Sequence, residues 1–283
     1  MSELNCTLQA LHVYPVKSCA GVAVRSSLLV ETGLDFDRSW MLVDEDGVFV
    51  TQREHPRLAL VQPTLRQHDL VLRAPGMLAL HLALDRAEGP LRVRVWDDSV
   101  PAWDMGALAA QWFSDFIGRP LRLARFDPQH HRPSDARWTG GLDAATAFAD
   151  GFALLVTSTA SLAEMNRRLA AQGHAPVDMR RFRPNLVLDG LEAHDEDHVE
   201  RLEIDTDQGM VQLRLVKPCA RCSIPGVDPD RGVQGFEVVD TLSTYRADPR
   251  LNGAVTFGMN AIVAEGIDRV LAVGQTCRAM LAF

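Results

Sequence analysis

One stretch of this chain determines which fold is expected, and it reads Val216-Lys217-Pro218-Cys219-Ala220-Arg221-Cys222-Ser223-Ile224-Pro225-Gly226-Val227-Asp228-Pro229-Asp230-Arg231-Gly232. Alternating apolar residues at Val211, Leu213 and Leu215 precede it and predict a β-strand. Pro, Gly and Asp residues follow the second cysteine, and they disfavour a helix there. The stretch therefore predicts a loop at a strand end that presents two thiols. We call residues 219–226 the sulfur loop.

Two cysteines at this spacing have four chemical uses. A zinc site would need a second ligand pair, for which His194 and His198 are the candidates, but they lie in an acidic run that is more simply a solvated surface. A thioredoxin-like pair would open a helix, which Pro225 and Gly226 oppose. Two inert buried thiols are the third use, and one thiolate as the single protein ligand of a metal cofactor is the fourth. The loop alone leaves these uses open.

The composition is that of a globular protein. Its 283 residues are 47% hydrophobic and 23% charged, and the length suggests two units or one elaborated unit. The formal net charge of −8 argues against a nucleic-acid partner, because such binding rests on accumulated Lys and Arg. We therefore expect a sizeable core and no nucleic-acid surface.

The sequence also bears on the cellular compartment. The N-terminus shows no basic and apolar secretory signal, and no apolar run reaches the roughly 18 residues that span a membrane. An odd number of cysteines, 5 in the chain, does not suggest a disulfide framework. We therefore expect a cytoplasmic protein in a reducing compartment, without membrane association.

Residues 1–126 are predicted to be rich in strands. Short apolar segments alternate with turn residues, and Asp46-Gly47 is a strong hairpin signal. One helix is expected at residues 107–118, with Leu108, Trp112 and Phe116 on its buried face. The turn that contains Lys17 presents a cation that could equally be a solvated surface lysine. Residues 127–142 lack periodicity and are predicted to be a linker or mobile loop.

Residues 143–283 mix strands with a second helix. A buried strand is predicted at residues 153–157, and Ser161 with Glu164 matches a capping box at the start of a helix. Residues 241–245 are expected in a strand or turn, and the final apolar segments in closing strands. Three arginines before Asn185 are either a solvated basic face or an anion clamp.

Taken together, six motifs in order resemble those of MOSC proteins that carry an N-terminal β-barrel domain. The likeness is greatest to the mitochondrial amidoxime-reducing components and their bacterial relatives. The motifs are Tyr14-Pro15-Val16-Lys17-Ser18, Asp37-Arg38-Ser39-Trp40, Phe148-Ala149-Asp150-Gly151, Phe182-Arg183-Pro184-Asn185, Cys219-Ala220-Arg221-Cys222 with Val227-Asp228-Pro229, and Phe257-Gly258-Met259-Asn260.

This resemblance implies a β-rich α+β fold. It places an N-terminal β-barrel-like domain at residues 1–126, a linker at 127–142 and a MOSC β-barrel domain with a few peripheral helices at 143–283. It also implies a molybdenum cofactor, molybdopterin in its simple or nucleotide form, with Cys222 as the metal ligand and catalytic residue. Cys219 would have a supporting role. The implied cofactor-binding residues are Lys17, Ser18, Arg38, Asp150, Gly151, Arg183, Asn185 and Cys222.

The implied activity is reduction of a small N-hydroxylated substrate by oxygen-atom transfer. No Cys-x₄-Cys-x₂-Cys pattern is present, so no intrinsic iron–sulfur cluster is expected. Electrons would come from a separate iron–sulfur or haem protein served by a flavin reductase. Two other functions stay open, a persulfide carrier in metal-cofactor sulfuration and a cofactor carrier without turnover.

Overall fold

The computed structural model describes residues 2–282, and strands dominate it. The strands are β1 (Glu3–Val13), β2 (Val22–Val24), β3 (Ser26–Val30), β4 (Gly33–Leu34), β5 (Trp40–Val43), β6 (Gln62–Leu65), β7 (Asp69–Arg73), β8 (Leu80–Ala83), β9 (Gly89–Val95), β10 (Asp98–Asp104), β11 (Arg122–Phe126), β12 (Leu154–Ser158), β13 (Leu186–Asp189), β14 (Val199–Thr206), β15 (Gly209–Ala220), β16 (Val227–Asp228), β17 (Val233–Gln234), β18 (Ala247–Asp248), β19 (Ala254–Glu265), β20 (Val270–Ala272) and β21 (Thr276–Leu281). The helices are α1 (Ala107–Ile117), α2 (Ala136–Thr139), α3 (Thr159–Ala171) and α4 (Glu237–Ser243). The predicted β-rich fold with few helices is confirmed.

A closed barrel of seven strands forms the larger part of the structure. Its order is β12-β13-β1-β21-β14-β15-β19, and β19 pairs back onto β12. The strands β12 and β13 are parallel and connected through α3, whereas the other neighbours are antiparallel. Alternate side chains of these strands fill the interior, among them Leu8, Leu154, Leu202, Leu213 and Ala279. The first strand of the chain therefore belongs to a barrel that otherwise consists of strands after residue 153.

Two further core clusters lie under smaller sheets of the N-terminal part. One lies between the sheet β6-β7-β8, the helix α1 and one face of the sheet β5-β11-β10-β9, and the other lies on the opposite face of that sheet. Trp112 and Phe116 are buried as predicted, but Leu108 is 69% exposed, so its predicted burial is wrong. The buried stripe is instead Ala109, Trp112, Phe113 and Phe116. A helix has 3.6 residues per turn, so residues spaced by four along the chain do not stay on one face, and Leu108 lies at the edge that turns to solvent. The division of the chain at residues 126 and 143 stays a prediction.

The structure corrects two local predictions in the second half. The helix α3 is capped by Ser158, whose Oγ accepts a hydrogen bond from the Ser161 amide at 3.1 Å, so Ser161 is not the N-cap. Glu164 pairs with Arg167 and Arg168 instead of reaching back to the cap. Residues 241–243 belong to α4, not to a strand or turn, because Val238 and Leu242 repeat at helical spacing in a shared core with α3.

The acidic run near His194 is only partly a solvated surface, because Glu192 and Glu200 are exposed whereas two acidic residues between them are buried. Glu196 is fully buried and accepts hydrogen bonds from the Ser158 and Ser161 hydroxyl groups. Asp197 is also buried and pairs with Arg246. Burial lowers the pKa of His194 to about 4, so this imidazole is neutral at pH 7. Within residues 2–282, no cluster of three His, Cys, Asp or Glu side chains could hold a metal ion.

Residues 127–142 pack against both halves of the chain. Arg132 is 5% exposed, and its guanidinium donates hydrogen bonds to the Ala147 and Ala149 carbonyl groups at 2.8 and 2.7 Å. The same guanidinium pairs with Asp98 at 2.8 Å. Arg132 thereby fixes the loop that carries Asp150. Among the described helices, none is long and apolar enough to cross a membrane.

Two glycines on or next to β19 give a matched test of this close packing. Gly258 and Gly253 have similar positive φ values, 75° and 81°. A Cβ atom at Gly258 would lie 2.7 Å from the Val156 carbonyl oxygen, whereas a Cβ at Gly253 would meet nothing within 4 Å. Both alanine variants share the backbone strain, but only Gly258→Ala also overpacks the barrel. We expect Gly258→Ala to cost about 2 kcal/mol more than Gly253→Ala in urea unfolding; equal losses would contradict this packing.

Candidate functional site

A cavity of about 160 Å³ lies between the N-terminal part and the barrel. All the site residues that the sequence predicts are on its wall, namely Lys17, Ser18, Arg38, Asp150, Gly151, Arg183, Asn185 and Cys222. Other lining residues have no role that the sequence predicts, and they include Thr51, Arg53, Phe152, Leu155, Phe182, Arg221 and Asn260. Arg221, Phe182 and Asn260 lie inside the motifs quoted above, so those motifs were the available signal. Arg53 had no such signal.

Lys17 is a buried cation on the turn that follows β1. It is 7% exposed, and its Nζ donates hydrogen bonds to the Phe148 carbonyl at 2.7 Å and to the Asp150 carboxylate at 2.5 Å. Burial lowers the pKa of Lys17, and Asp150 opposes that effect. Burial alone would raise the pKa of Asp150, but Lys17 and Arg53 hold it well below its usual range. Lys17 is therefore not a solvated lysine.

Arg38 and Arg183 form a second group of cations on the same wall. The Arg38 guanidinium donates hydrogen bonds to Asn185 Oδ1 at 2.9 Å and to the Arg183 carbonyl at 3.2 Å, and it also pairs with Asp37. Arg183 donates to the Cys19 carbonyl at 2.6 Å, and burial lowers the pKa of Arg183 to about 10. Asn185 is buried and accepts a further hydrogen bond from the Leu155 amide, which ties this group to β12.

The backbone at these positions is unusual. Ser18, Arg38 and Arg183 have positive φ values of 68°, 47° and 58°. Left-handed backbone at residues other than glycine costs roughly 1 to 3 kcal/mol and is concentrated at functional sites. These strained positions converge on one cavity, which supports its selection as the functional site.

The sulfur loop forms the barrel side of the cavity. Cys219 lies near the end of β15, Cys222 follows the strand, and both are partly exposed free thiols. The Arg221 guanidinium donates hydrogen bonds to Cys219 Sγ at 3.0 Å and to the Phe182 carbonyl at 2.8 Å. Arg221 Nε is buried without a hydrogen-bond partner among the described residues. The loop therefore holds one thiol against a cation and leaves the other thiol beside the open cavity.

The balance of charges on the wall calls for an anionic ligand. The cations that line the cavity are Lys17, Arg38, Arg53, Arg183 and Arg221, and the one lining carboxylate in the described chain is Asp150. No carboxylate in residues 2–282 lies within ion-pair distance of Arg183 or Arg221. Cations that are shielded from water without a partner are costly. A ligand with a phosphate group and a soft metal fits this set of cations and thiols.

These features define a β-barrel protein with a thiol and anion site between two parts of the chain. Residues 5–120 match the family described as MOSC N-terminal beta barrel domain, and residues 143–278 match the MOSC domain. The chain therefore belongs to the MOSC family, and its relatives include proteins named as amidoxime reducing components and as molybdenum cofactor sulfurases.

Three relatives illustrate this membership. The mitochondrial amidoxime reducing component 2 of Bos taurus is 35% identical over 254 residues, which cover 86% of this chain and 73% of that protein. The mitochondrial amidoxime-reducing component 1 of Homo sapiens is 35% identical over 255 residues, with the same coverage of 86% and 73%. The molybdenum cofactor sulfurase of Homo sapiens is 30% identical over 268 residues, which cover 88% of this chain but 29% of that protein.

Proposed function

We propose that this protein is a molybdenum-cofactor-dependent oxidoreductase that reduces N-hydroxylated compounds by oxygen-atom transfer. The observation that carries the proposal is the cavity itself, where five cations, two of them without a carboxylate partner among the described residues, face two thiols. The similarity to amidoxime reducing components over most of the chain supports the same activity. The bound cofactor would supply the oxygen-accepting metal, and the chain would supply binding, orientation and charge.

Cys222 is the proposed metal ligand, and the two thiols differ in a way that supports this choice. Cys219 Sγ already accepts a hydrogen bond from Arg221. The sulfur of Cys222 makes no hydrogen bond among the described residues. Cys222 lies two residues after the end of β15, on the cavity wall. A thiolate suits a soft metal, and a single thiolate leaves other positions open for oxygen. Cys219 would keep the loop in place through Arg221.

The cations on the opposite wall are proposed to bind the phosphate of the pterin. Lys17 is buried and Arg183 is partly buried, and their charge-assisted hydrogen bonds to a phosphate would be about twice as strong as neutral ones. Ser18 and Asn185 add polar groups, and Asp150 holds Lys17 in position. A Cβ atom at Gly151 would meet nothing within 4 Å, so this position leaves room on the cavity wall.

Substrate and electrons are proposed to come from outside the chain. Phe152, Leu155 and Phe182 give the cavity an apolar section that could exclude water around a small N-hydroxylated molecule. A separate iron–sulfur or haem protein with a flavin reductase would supply the electrons. The partly exposed sulfur loop is the part of the site that such a donor could approach.

Metal analysis tests the proposal. We expect molybdenum and pterin fluorescence in protein from a host that makes the cofactor, and reduction of an N-hydroxylated amidine with a reduced viologen dye as donor. Absence of molybdenum would overturn the proposal. Molybdenum without turnover, with any of several donors, would instead indicate a cofactor carrier.

A persulfide carrier is the second candidate. The contact between Arg221 and Cys219 at 3.0 Å favours it, because a guanidinium stabilises a sulfur anion. The similarity to molybdenum cofactor sulfurase gives the same indication. An added sulfur atom on the intact protein that dithiothreitol removes, in a sample that lacks molybdenum, would favour this candidate over the oxidoreductase.

A further inference from the structure

Tyr14 contacts two of the arginines that line the cavity, Arg38 and Arg183. The guanidinium carbon of Arg38 is 4.4 Å from the centre of the Tyr14 ring, and that of Arg183 is 4.3 Å away. Tyr14 is 2% exposed and does not line the cavity. One aromatic ring therefore supports two cations of the proposed phosphate site without reaching the ligand itself.

The two guanidinium groups need such a support because they repel each other. Arg38 has Asp37 as a carboxylate partner, but Arg183 has none within the described residues. The negative π face of an aromatic ring attracts a cation, and this attraction is strongest when the pair is shielded from water. Burial raises the pKa of Tyr14 to about 12, so the ring is a neutral phenol at pH 7. The ring contributes attraction without adding a negative charge that would compete with an anionic ligand.

Three contacts hold Tyr14, two at its side chain and one at its backbone amide. Its hydroxyl group donates a hydrogen bond to the Pro184 carbonyl at 3.1 Å, next to Arg183. The Tyr14 amide donates to Asp37 Oδ1 at 2.8 Å, next to Arg38. Gly21 leaves the space that the ring occupies, since a Cβ atom there would lie 2.4 Å from Tyr14 Cε1. The contacts of Tyr14 thus connect the two segments that carry the arginines.

We propose that Tyr14 is a positioning residue whose ring sets the placement of the Arg38 and Arg183 guanidinium groups for one phosphate ligand. The identity of that ligand as the cofactor's phosphate rests on the proposed function, but the placement does not. The phenol hydroxyl serves to fix the ring, so phenylalanine should substitute for tyrosine far better than an aliphatic residue of similar volume.

Binding of inorganic phosphate to the full chain, made in a host without cofactor synthesis, tests this role. Titration calorimetry would compare wild type, Tyr14→Phe and Tyr14→Leu, with chloride at equal ionic strength as the reference. We expect Tyr14→Leu to weaken phosphate binding about tenfold or more, since it loses both ring contacts, and Tyr14→Phe to remain within about threefold of wild type. A merely structural role would lower the melting temperature of Tyr14→Leu without changing its phosphate affinity.

A second variant keeps the proposal testable if Tyr14→Leu does not fold. Gly21→Ala retains the ring but pushes it away from its site, so we expect weakened phosphate binding there too. The proposal would be overturned if folded Tyr14→Leu bound phosphate as tightly as wild type. If Tyr14→Leu does not fold, the same result in Gly21→Ala would overturn it. Wild-type protein that does not bind phosphate would also overturn it. Phosphate binding without molybdenum in protein from a cofactor-competent host would contradict the proposed function but leave the role of Tyr14 intact.

Discussion

Cys222→Ser is expected to yield a folded protein without molybdenum and without N-reductive activity. Serine has nearly the same volume as cysteine, and Cys222 is partly exposed, so folding should not change. A hydroxyl group is a hard ligand that stays protonated near neutral pH, whereas the soft metal prefers a thiolate. Loss of a supporting residue around a metal ligand already costs roughly 10 to 100-fold in metal affinity. Loss of the ligand itself should exceed that range, as measured by molybdenum content per protein.

Cys219→Ser is the matched control, because both thiols lie on the same cavity and both are partly exposed. We expect this variant to keep its molybdenum, with at most a modest loss of activity as Arg221 loses its contact with the sulfur. The assignment would be reversed if Cys219→Ser lost the metal and Cys222→Ser kept it. Equal retention in both variants would show that neither thiol is the ligand.

Lys17→Met should have the second-largest effect. Methionine fills a similar volume but removes the buried cation that bonds Asp150 and the Phe148 carbonyl. A hydrogen bond to a charged group contributes about 1.5 to 3 kcal/mol, so loss of the one to phosphate should reduce cofactor affinity by roughly 10 to 100-fold. Pterin fluorescence after extensive dialysis measures that loss.

Arg53→Met serves as the control for Lys17→Met. Arg53 also contacts the Asp150 carboxylate, but at 3.5 Å and with a side chain that is 23% exposed. Solvent screens such a pair, so Arg53→Met should lower pterin retention by no more than about threefold. If Lys17→Met retained the cofactor at the wild-type level, Lys17 would only hold the loop of Asp150 in place and would not bind the phosphate.

Much of the fold was predictable because its signals are local. The buried strand at β12, the helix α3 and the strand that leads into Cys219 follow from apolar periodicity over short distances. The motifs around Lys17, Arg183 and Cys222 indicated residues that the fold brings onto one cavity. Their roles toward a cofactor stay predictions.

Other features depend on contacts between distant segments, and periodicity does not encode those. Glu196 looks like a surface residue in the sequence, but hydrogen bonds from the Ser158 and Ser161 hydroxyl groups allow its burial. The buried face of α1 was predicted wrongly at Leu108, because apolar residues occur on more than one face of this short helix and the sequence does not show which of them packs inward. Tyr14 opens one of the quoted motifs, but the motif does not indicate its role, since only the folded chain places Arg38 and Arg183 against its ring.

The position of β1 in the barrel has a consequence for synthesis of the chain. Within residues 2–282, this strand is synthesised first, and β2 pairs with its residues Leu11, His12 and Val13 soon afterwards. Its barrel partners β13 and β21 are made much later, and β21 is the last of the described strands. The barrel therefore cannot close before β21 has been made, and until then the residues of β1 that pair with β21, from Glu3 to Thr7, lack that partner, a state that invites wrong pairing. Its Glu3 and Asn5, exposed polar residues that alternate with apolar ones, would help to keep the nascent strand in solution until its partners arrive.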